Sequence, residues 1–295
     1  IKYLYYINRL KIVELLSLSP HTQQQKDDKV YMTESIRHNS FNLLFASDRL
    51  KDDEDLVRLA VAKDGYTLKF ASSRLQNHKE TCKLAIQNSG TGYIFVSEEL
   101  KYDTELLSIA VETYNLSINH APEPLRDYRP IVLKAVERYG MALAYASPRL
   151  QNDHEVVRFA LNNIPYSFFY ANDQLKQNKA FVLSCLPIST RIYIYLHPDL
   201  KIDSCIVETV LQIDASSLIH APLSVLENNH YLSLIIPKYP YIYFYLSVEY
   251  RRRKDVVTQV LHQQPSLFSS VPHCLRNDRN FILLLISKLP VLYEY

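Results

Sequence analysis

Leu44–Val61 reads LFASDRLKDDEDLVRLAV, Lys69–Ile86 reads KFASSRLQNHKETCKLAI, and Ala144–Leu161 reads AYASPRLQNDHEVVRFAL. The first two are 25 residues apart and the third lies 75 residues further on, so all three share one 25-residue register. Sampling every 25th residue gives Ala46, Ala71, Val96, Ala121, Ala146, Ala171, Leu196, Ala221, Leu246 and Val271. Four positions on, the column is Leu50, Leu75, Leu100, Leu125, Leu150, Leu175, Leu200, Val225, Tyr250 and Leu275. No insertion or deletion interrupts it from Ala46 to Tyr295, and weaker traces at Ser35, Met32 and Leu18 carry it towards the start. A fixed period of this length marks a repeat architecture.

Each unit reads as helix. Asp53, Asp103, Asp153, Asn178, Asp203, Asn228 and Asp278 share a column suited to an N-cap, where a side-chain oxygen accepts a free backbone N–H. Two residues on, Asp55, Glu80, Glu105 and Glu155 place negative charge in the first turn, and Pro130 is tolerated there. Leu56, Val57, Ala60 and Val61 then make one apolar helix face. Gly65, Gly90 and Gly140 act as stop signals, replaced later by Pro165, Pro240, Pro265 and Pro290. A long helix of about eleven residues is predicted. A shorter helical turn such as Tyr66–Ser72 follows, closed by the Ser47, Ser72, Ser97 and Ser147 column, with Leu50 and its equivalents filling the gap.

The alternating stretches Arg191–Leu196 and Tyr241–Leu246 read locally as strands. Their register places them where other units carry GYTLKFA or GMALAYA, so helix is expected there too. One short unit cannot bury its own apolar face, and stacking supplies the cover. The expected fold is therefore all-α, an α-solenoid of about eleven to twelve 25-residue repeats. A single continuous domain over residues 1–295 is expected, more regular over 41–165 and divergent over 166–295. Ala60, Ala85, Ala110, Ala135 and Ala160 give way to Cys185, Val210, Ile235, Val260 and Leu285, which should hold later helices further apart. The start, IKYLYYINRLKIVELL, resembles a helix entered partway, so a fragment of a longer protein is expected.

Composition narrows the function. Net charge is +2, which by itself implies no strong attraction to nucleic acid or anionic lipid. Four glycines in the whole chain leave no Gly-rich phosphate loop. Cys82, Cys185, Cys205 and Cys274 form no CxxC pair and no zinc spacing, so reduced thiols in a cytoplasmic, reducing compartment are expected. No apolar run reaches the ~18–20 residues of a membrane span. No GxSxG, HExxH, P-loop or GxGxxG pattern occurs. The expectation is a protein that is not an enzyme, with no catalytic residue, metal or cofactor.

The phrase L-x-x-D-x-E-V-V-x-x-A is carried by Leu150, Asp153, Glu155, Val156, Val157 and Ala160. Leu50, Asp53, Leu56, Val57, Ala60, Val61, Gly65, Leu68, Ala71 and Ser72 carry it earlier, extended by G-x-x-L-x-x-A-S. This resembles the tandem repeat family described as domain of unknown function 4116. The match runs from about Leu44 to Leu175 and weakens where Leu196, Leu246 and Tyr250 break the pattern. The resemblance implies α-helical repeats. Since members occur in intracellular bacteria such as Legionella, giant viruses and amoeboid protists, it also implies an effector acting in a host cytosol. It carries over no chemistry.

Columns that stacking does not need are the candidate sites. Lys51, Lys101, Arg126, Lys176, Lys201, Arg251 and Arg276 form a basic column, with Gln76 and Gln151 between and Leu226 interrupting. It reads as a surface for an anionic partner, or as a solvated column paired with Asp52, Asp103 and Asp153. Arg252, Arg253 and Lys254 extend it into a basic run at a helix start, where positive charge opposes the dipole. Phe45, Phe70, Phe95, His120, Tyr145, Tyr170, Tyr195, His220 and Tyr245 form an aromatic column, read as a stacking platform or as inter-repeat packing. His120 and His220 sit four repeats apart, too far for one metal. The expected function is a non-catalytic scaffold that binds a protein partner. The alternative is a solenoid that binds nucleic acid or an anionic lipid such as a phosphoinositide through the basic column.

Overall fold

A computed structural model describes residues 21–294, so the trace at Leu18 and the helix expected at the chain start lie outside the described residues. Long helices begin where the capping column places them. The Asp53 carboxylate accepts the Leu56 N–H, Asp103 accepts those of Glu105 and Leu106, and Asp153, Asn178, Asp203, Asn228 and Asp278 do the same for their helices. Such a cap contributes about 1 kcal/mol. Glu54–Lys63, Lys79–Asn88, Thr104–Thr113, Arg129–Arg138 and His154–Asn163 each span ten residues. Leu56, Val57, Ala60 and Val61 are buried in the first, and the same four columns are buried in the others.

At Asp64 the backbone turns extended, and the side chain of Asp64 caps a second helix by accepting the Tyr66 N–H. This is the six-residue 3-10 helix Gly65–Phe70, longer than the three or four residues usual for such helices. Buried Thr67 and Leu68 hold it, and it lies against the equivalent 3-10 helices of neighbouring repeats.

The Ser column does more than close this turn. Ser47 and Ser72 each accept an N–H three residues on, from Leu50 and Leu75 at 3.3 Å, and so open a third, four-residue helix. Asp48–Lys51 and Ser73–Gln76 are examples, each with its leucine fully buried. A repeat is therefore long helix, 3-10 helix and short helix.

The tyrosine-rich stretches follow the shared register. Thr190–Tyr195 and Pro240–Tyr245 are 3-10 helices, and no strand occurs among the described residues. Tyr93, Tyr193 and Tyr243 replace Leu68 in its buried column. Each hydroxyl donates to a carbonyl eight residues on, at Lys101 (2.6 Å), Lys201 (2.6 Å) and Arg251 (2.8 Å). A buried phenol needs such a partner.

The glycine column has a different role from a left-handed helix stop. No glycine has positive φ. A Cβ on Gly65 would sit 2.1 Å from the Ala85 carbonyl oxygen, and one on Gly140 2.3 Å from that of Ala160. The column is empty because the next long helix's backbone occupies the space. Ala62 and Glu137 carbonyls accept from the Asn88 and Asn163 carboxamides, whose oxygens accept the Gly65 and Gly140 N–H groups in return.

The chain divides into two compact units, Ile1–Tyr170 and Ala171–Tyr295, and the described residues of each form an array of these repeats. Within the first, neighbouring long helices run close together along their lengths; within the second, close approaches are sparse. Side chains explain the contrast, since Ala60, Ala85 and Ala110 face a neighbour in the first where Val210, Ile235 and Val260 do so in the second. Lys179–Cys185 and Asn229–Ile235 are also cut to seven residues by Pro187 and Pro237, which supply no N–H.

Gly65→Ala should therefore destabilise the first unit by about 2 kcal/mol through backbone overpacking. Gly92→Ala, whose nearest obstacles lie at 3.2 Å, should cost distinctly less. Urea unfolding midpoints of the two variants give the comparison, and equal shifts would contradict the close approach.

Candidate interaction surfaces

The quoted Ala-Ser-x-Arg-Leu phrase is first a clasp between repeats. The Ser47, Ser72, Ser97 and Ser147 N–H groups donate to the carbonyls of Lys26, Lys51, Gln76 and Arg126, at 2.8, 2.9, 2.9 and 3.0 Å. The arginine two residues on grips the neighbouring aspartate. Arg49, Arg74 and Arg149 donate through Nε to Asp27, Asp52 and Asp127 at 3.0, 2.9 and 3.0 Å. Their Nη2 groups reach the same residues' carbonyls, and the Ser hydroxyls donate to the same carboxylates. Hydrogen bonds from serine first and arginine second lower the Asp27 and Asp52 pKa values below 3.8. The recurrence of Ser and Arg was visible in the sequence, but their aspartate stands twenty residues upstream in a column that varies.

A second ladder joins long helices. Lys29, Lys79 and Arg129 in the first unit reach Asp53, Asp103 and Asp153 at 2.6, 2.7 and 3.0 Å. In the second unit Lys179 reaches Asp203 and Lys254 reaches Asp278, both at 2.7 Å. The cation is the first residue of its helix, and the acid is the next helix's N-cap. From Lys29 to Lys179 the pairs recur every 50 residues, because Glu54, Thr104 and His154 fill the column between. Two 25-residue units thus make one electrostatic repeat.

These pairs redirect the basic column. Asp52, Asp103 and Asp153 are held by Arg74, Lys79 and Arg129, not by Lys51, Lys101 or their equivalents. Lys101 instead meets Glu98 at 2.6 Å, Lys176 meets Asp173 at 3.3 Å and Lys51 meets Asp48 at 4.0 Å, each an acid three residues earlier. The Lys101 and Lys176 side chains are only 18% and 16% exposed. Lys201 donates to the Ile194 carbonyl at 2.8 Å, and burial lowers its pKa. Gln76 and Gln151 donate likewise to Leu68 and Leu143 at 3.2 and 3.1 Å. Lys201, Gln76 and Gln151 thus fold back on the carbonyl end of their own 3-10 helix, where the positive charge of Lys201 suits the dipole. Arg126 and Arg251 each have a buried Nε without a hydrogen-bond partner, Arg276 is exposed, and Leu226 is buried.

In the basic run, Arg252 is exposed. Arg253 donates to both Asp255 oxygens at 3.1 and 2.6 Å, reaches Asn229 at 2.7 Å, and lies 4.8 Å from the Tyr250 ring centre. Lys254 pairs with Asp278 and lies 5.4 Å from the Phe281 ring centre. Two of the three cations are thereby engaged in structural contacts.

The aromatic column lies on the 3-10 helices. In the first unit Phe70 is buried, while Phe45, Phe95, Tyr145 and Tyr170 are half-buried. Tyr66 meets Phe41 at 6.0 Å and Phe95 at 4.8 Å across repeat boundaries, so rings here pack on rings. In the second unit the same helices leave Ile194, Tyr241, Phe244 and Tyr245 exposed. Burial, reinforced by Lys101 and Lys201 respectively, lowers the pKa of His120 and His220. Among the described residues no cluster of His, Cys, Asp or Glu is arranged to hold a metal ion, and no helix is long and apolar enough to cross a membrane.

Residues 31–76, 78–126 and 128–176 match, as three tandem copies, the model of a family described as Domain of unknown function (DUF4116). Each matched copy covers two 25-residue units, the spacing of the ion-pair ladder. No curated protein and no solved structure matches the chain.

Acid should loosen the clasps. Asp27, Asp52 and Asp127 titrate below 3.8 when folded, and Glu105, bonded to Lys83 and then Lys79, titrates at about 2. A depressed carboxylate pKa stabilises the fold above the unfolded value, and that contribution is lost as pH falls through the folded one. His120 and His220, held neutral, add a smaller loss below 6.5. Melting temperatures should thus decline slightly below pH 6.5 and steeply below about pH 4, the steep part weakening in high salt. A separate check concerns thiols. Buried Cys82, whose pKa burial pushes up to about 12, and buried Cys185 should resist a thiol reagent, while exposed Cys205 and Cys274 react. Mass spectrometry of the native labelled chain reads this directly.

Proposed function

Starting from residues 31–176 as DUF4116-family repeats, we propose that the protein is a non-catalytic scaffold that binds a protein partner through its repeat surface. The observation that carries this reading is the exposed cluster Tyr241, Phe244 and Tyr245 on the 3-10 helix Pro240–Tyr245 of the second unit, with Ile194 exposed on Thr190–Tyr195 two repeats earlier. A patch of large exposed apolar residues is unusual unless something covers it, and tandem repeats commonly offer extended binding surfaces. The resemblance to repeats of intracellular bacteria supports the finer proposal of an effector acting in a host cytosol, a reducing compartment suited to four free thiols.

Binding of nucleic acid or anionic lipid is the weaker reading. It draws on exposed Arg252 and Arg276, but the Lys members of the basic column are turned inward onto carbonyls and acids of their own repeat. A pull-down from eukaryotic lysate should recover a stoichiometric partner that is lost with the double variant Tyr241→Ser, Phe244→Ser. Recovery of chaperones alone would contradict the scaffold. RNA or phosphoinositide binding at about 50 mM salt that falls steeply as salt rises would favour the alternative.

A further inference from the structure

In the second unit the long helix Lys254–Gln263 is not sealed against its neighbours. A cleft of about 280 Å³ is bordered by Asn229, Ser233, Asp255 and Gln259, over buried Leu232 and Val256. A second of about 320 Å³ shares Gln259 and is bordered by Pro237, His262, Gln263 and Lys288, over buried Ile236 and Leu289.

Departures in three columns open it. Gln259 occupies the column of Leu59, Leu84, Ile109 and Phe159, which also admits Lys134, Ser184 and Thr209, and it places an exposed carboxamide there in place of an apolar side chain. Pro237 ends the helix Asn229–Ile235 early and cannot donate to the Ser233 carbonyl. Gln263 and Lys288 stand where Asn88 and Asn163 clamp the preceding repeat, yet neither makes a hydrogen bond or ion pair among the described residues.

The chemistry of the opening selects its ligand. From Val256 to Gln263 the helix rises about 10 Å, the length of about three extended residues. Ser233, whose carbonyl Pro237 leaves without a helical donor, lies in the lining together with the Gln259 and Gln263 carboxamides. An extended main chain alternates the complementary groups. Lys288 and His262 place cationic capacity at one end. At the other end Arg253 already holds Asp255 at 2.6 Å. Pro237, Ile236 and Leu289 form an apolar wall beside Lys288. We propose that this groove binds a short extended peptide segment bearing a carboxylate next to an apolar side chain. The proposal rests on the scaffold reading only in taking polypeptide as the ligand class.

The test is fluorescence anisotropy on the full chain with two labelled peptide amides, Gly-Ser-Leu-Glu-Gly and Gly-Ser-Leu-Lys-Gly. The Glu peptide should bind, and the Lys peptide should bind roughly tenfold more weakly or not at all. Gln259→Leu restores the residue found at 59 and 84, so it should keep or raise the urea midpoint while weakening the Glu peptide roughly tenfold. Lys288→Gln should weaken that peptide and abolish the discrimination between the two. No binding up to about 1 mM, equal affinity for both peptides, or full affinity in Gln259→Leu would each overturn the proposal. A pull-down partner that still binds Gln259→Leu would leave the scaffold standing without this groove, so the two failures are distinct.

Discussion

Everything in the first unit depends on how near one long helix can bring its backbone to the preceding repeat. The Ala85 and Ala160 carbonyl oxygens occupy the space where side chains of residues 65 and 140 would otherwise project. That approach permits the Asn88 and Asn163 clamps, and it lets Leu56, Val57 and their equivalents be buried by neighbouring repeats. Burial of a leucine or valine side chain contributes roughly 1.5–3 kcal/mol, so the coverage of four such columns outweighs any surface ion pair. The ladders of charge act on register. An arginine reaching both the carboxylate and the carbonyl of one aspartate fixes where the next repeat sits, even where it adds little energy.

The second unit solves the same problem differently. Valine, isoleucine and leucine replace alanine, and proline replaces glycine, so side chains fill what backbone proximity filled before. Tyr193 and Tyr243 fill the column of Leu68 here as Tyr93 does in the first unit, each bonding a carbonyl at its far end. Wider spacing has a consequence for function. Tyr241, Phe244 and Tyr245 stand exposed on one 3-10 helix, and the sides of the long helix Lys254–Gln263 open as a groove.

Charge is the feature most easily misread. A column of lysines and arginines at constant spacing invites the idea of a polyanion surface. Lys101 and Lys201 show why spacing alone is insufficient, since a long flexible side chain can turn to an acid or a carbonyl of its own repeat as readily as out to solvent. The presence of Gln76 and Gln151 in the same column is the sequence signal for this, because a carboxamide can bond carbonyls but cannot attract an anion by charge.

The sequence by itself determined the period, the helical class and the capping residues, because each is written locally. Asp53 caps Leu56 three residues away, and the apolar face of a helix repeats within two turns. It also determined that the tyrosine-rich stretches stay helical, through register. Only the tertiary structure decided what the glycines and charges do. Gly65 reads as a stop from its neighbours but is required by an oxygen twenty residues on. Asp52 reads as a partner for adjacent Lys51 but is taken by Arg74. In both cases the deciding atom belongs to the next repeat, and the distance between repeats is set by packing that no single 25-residue window contains.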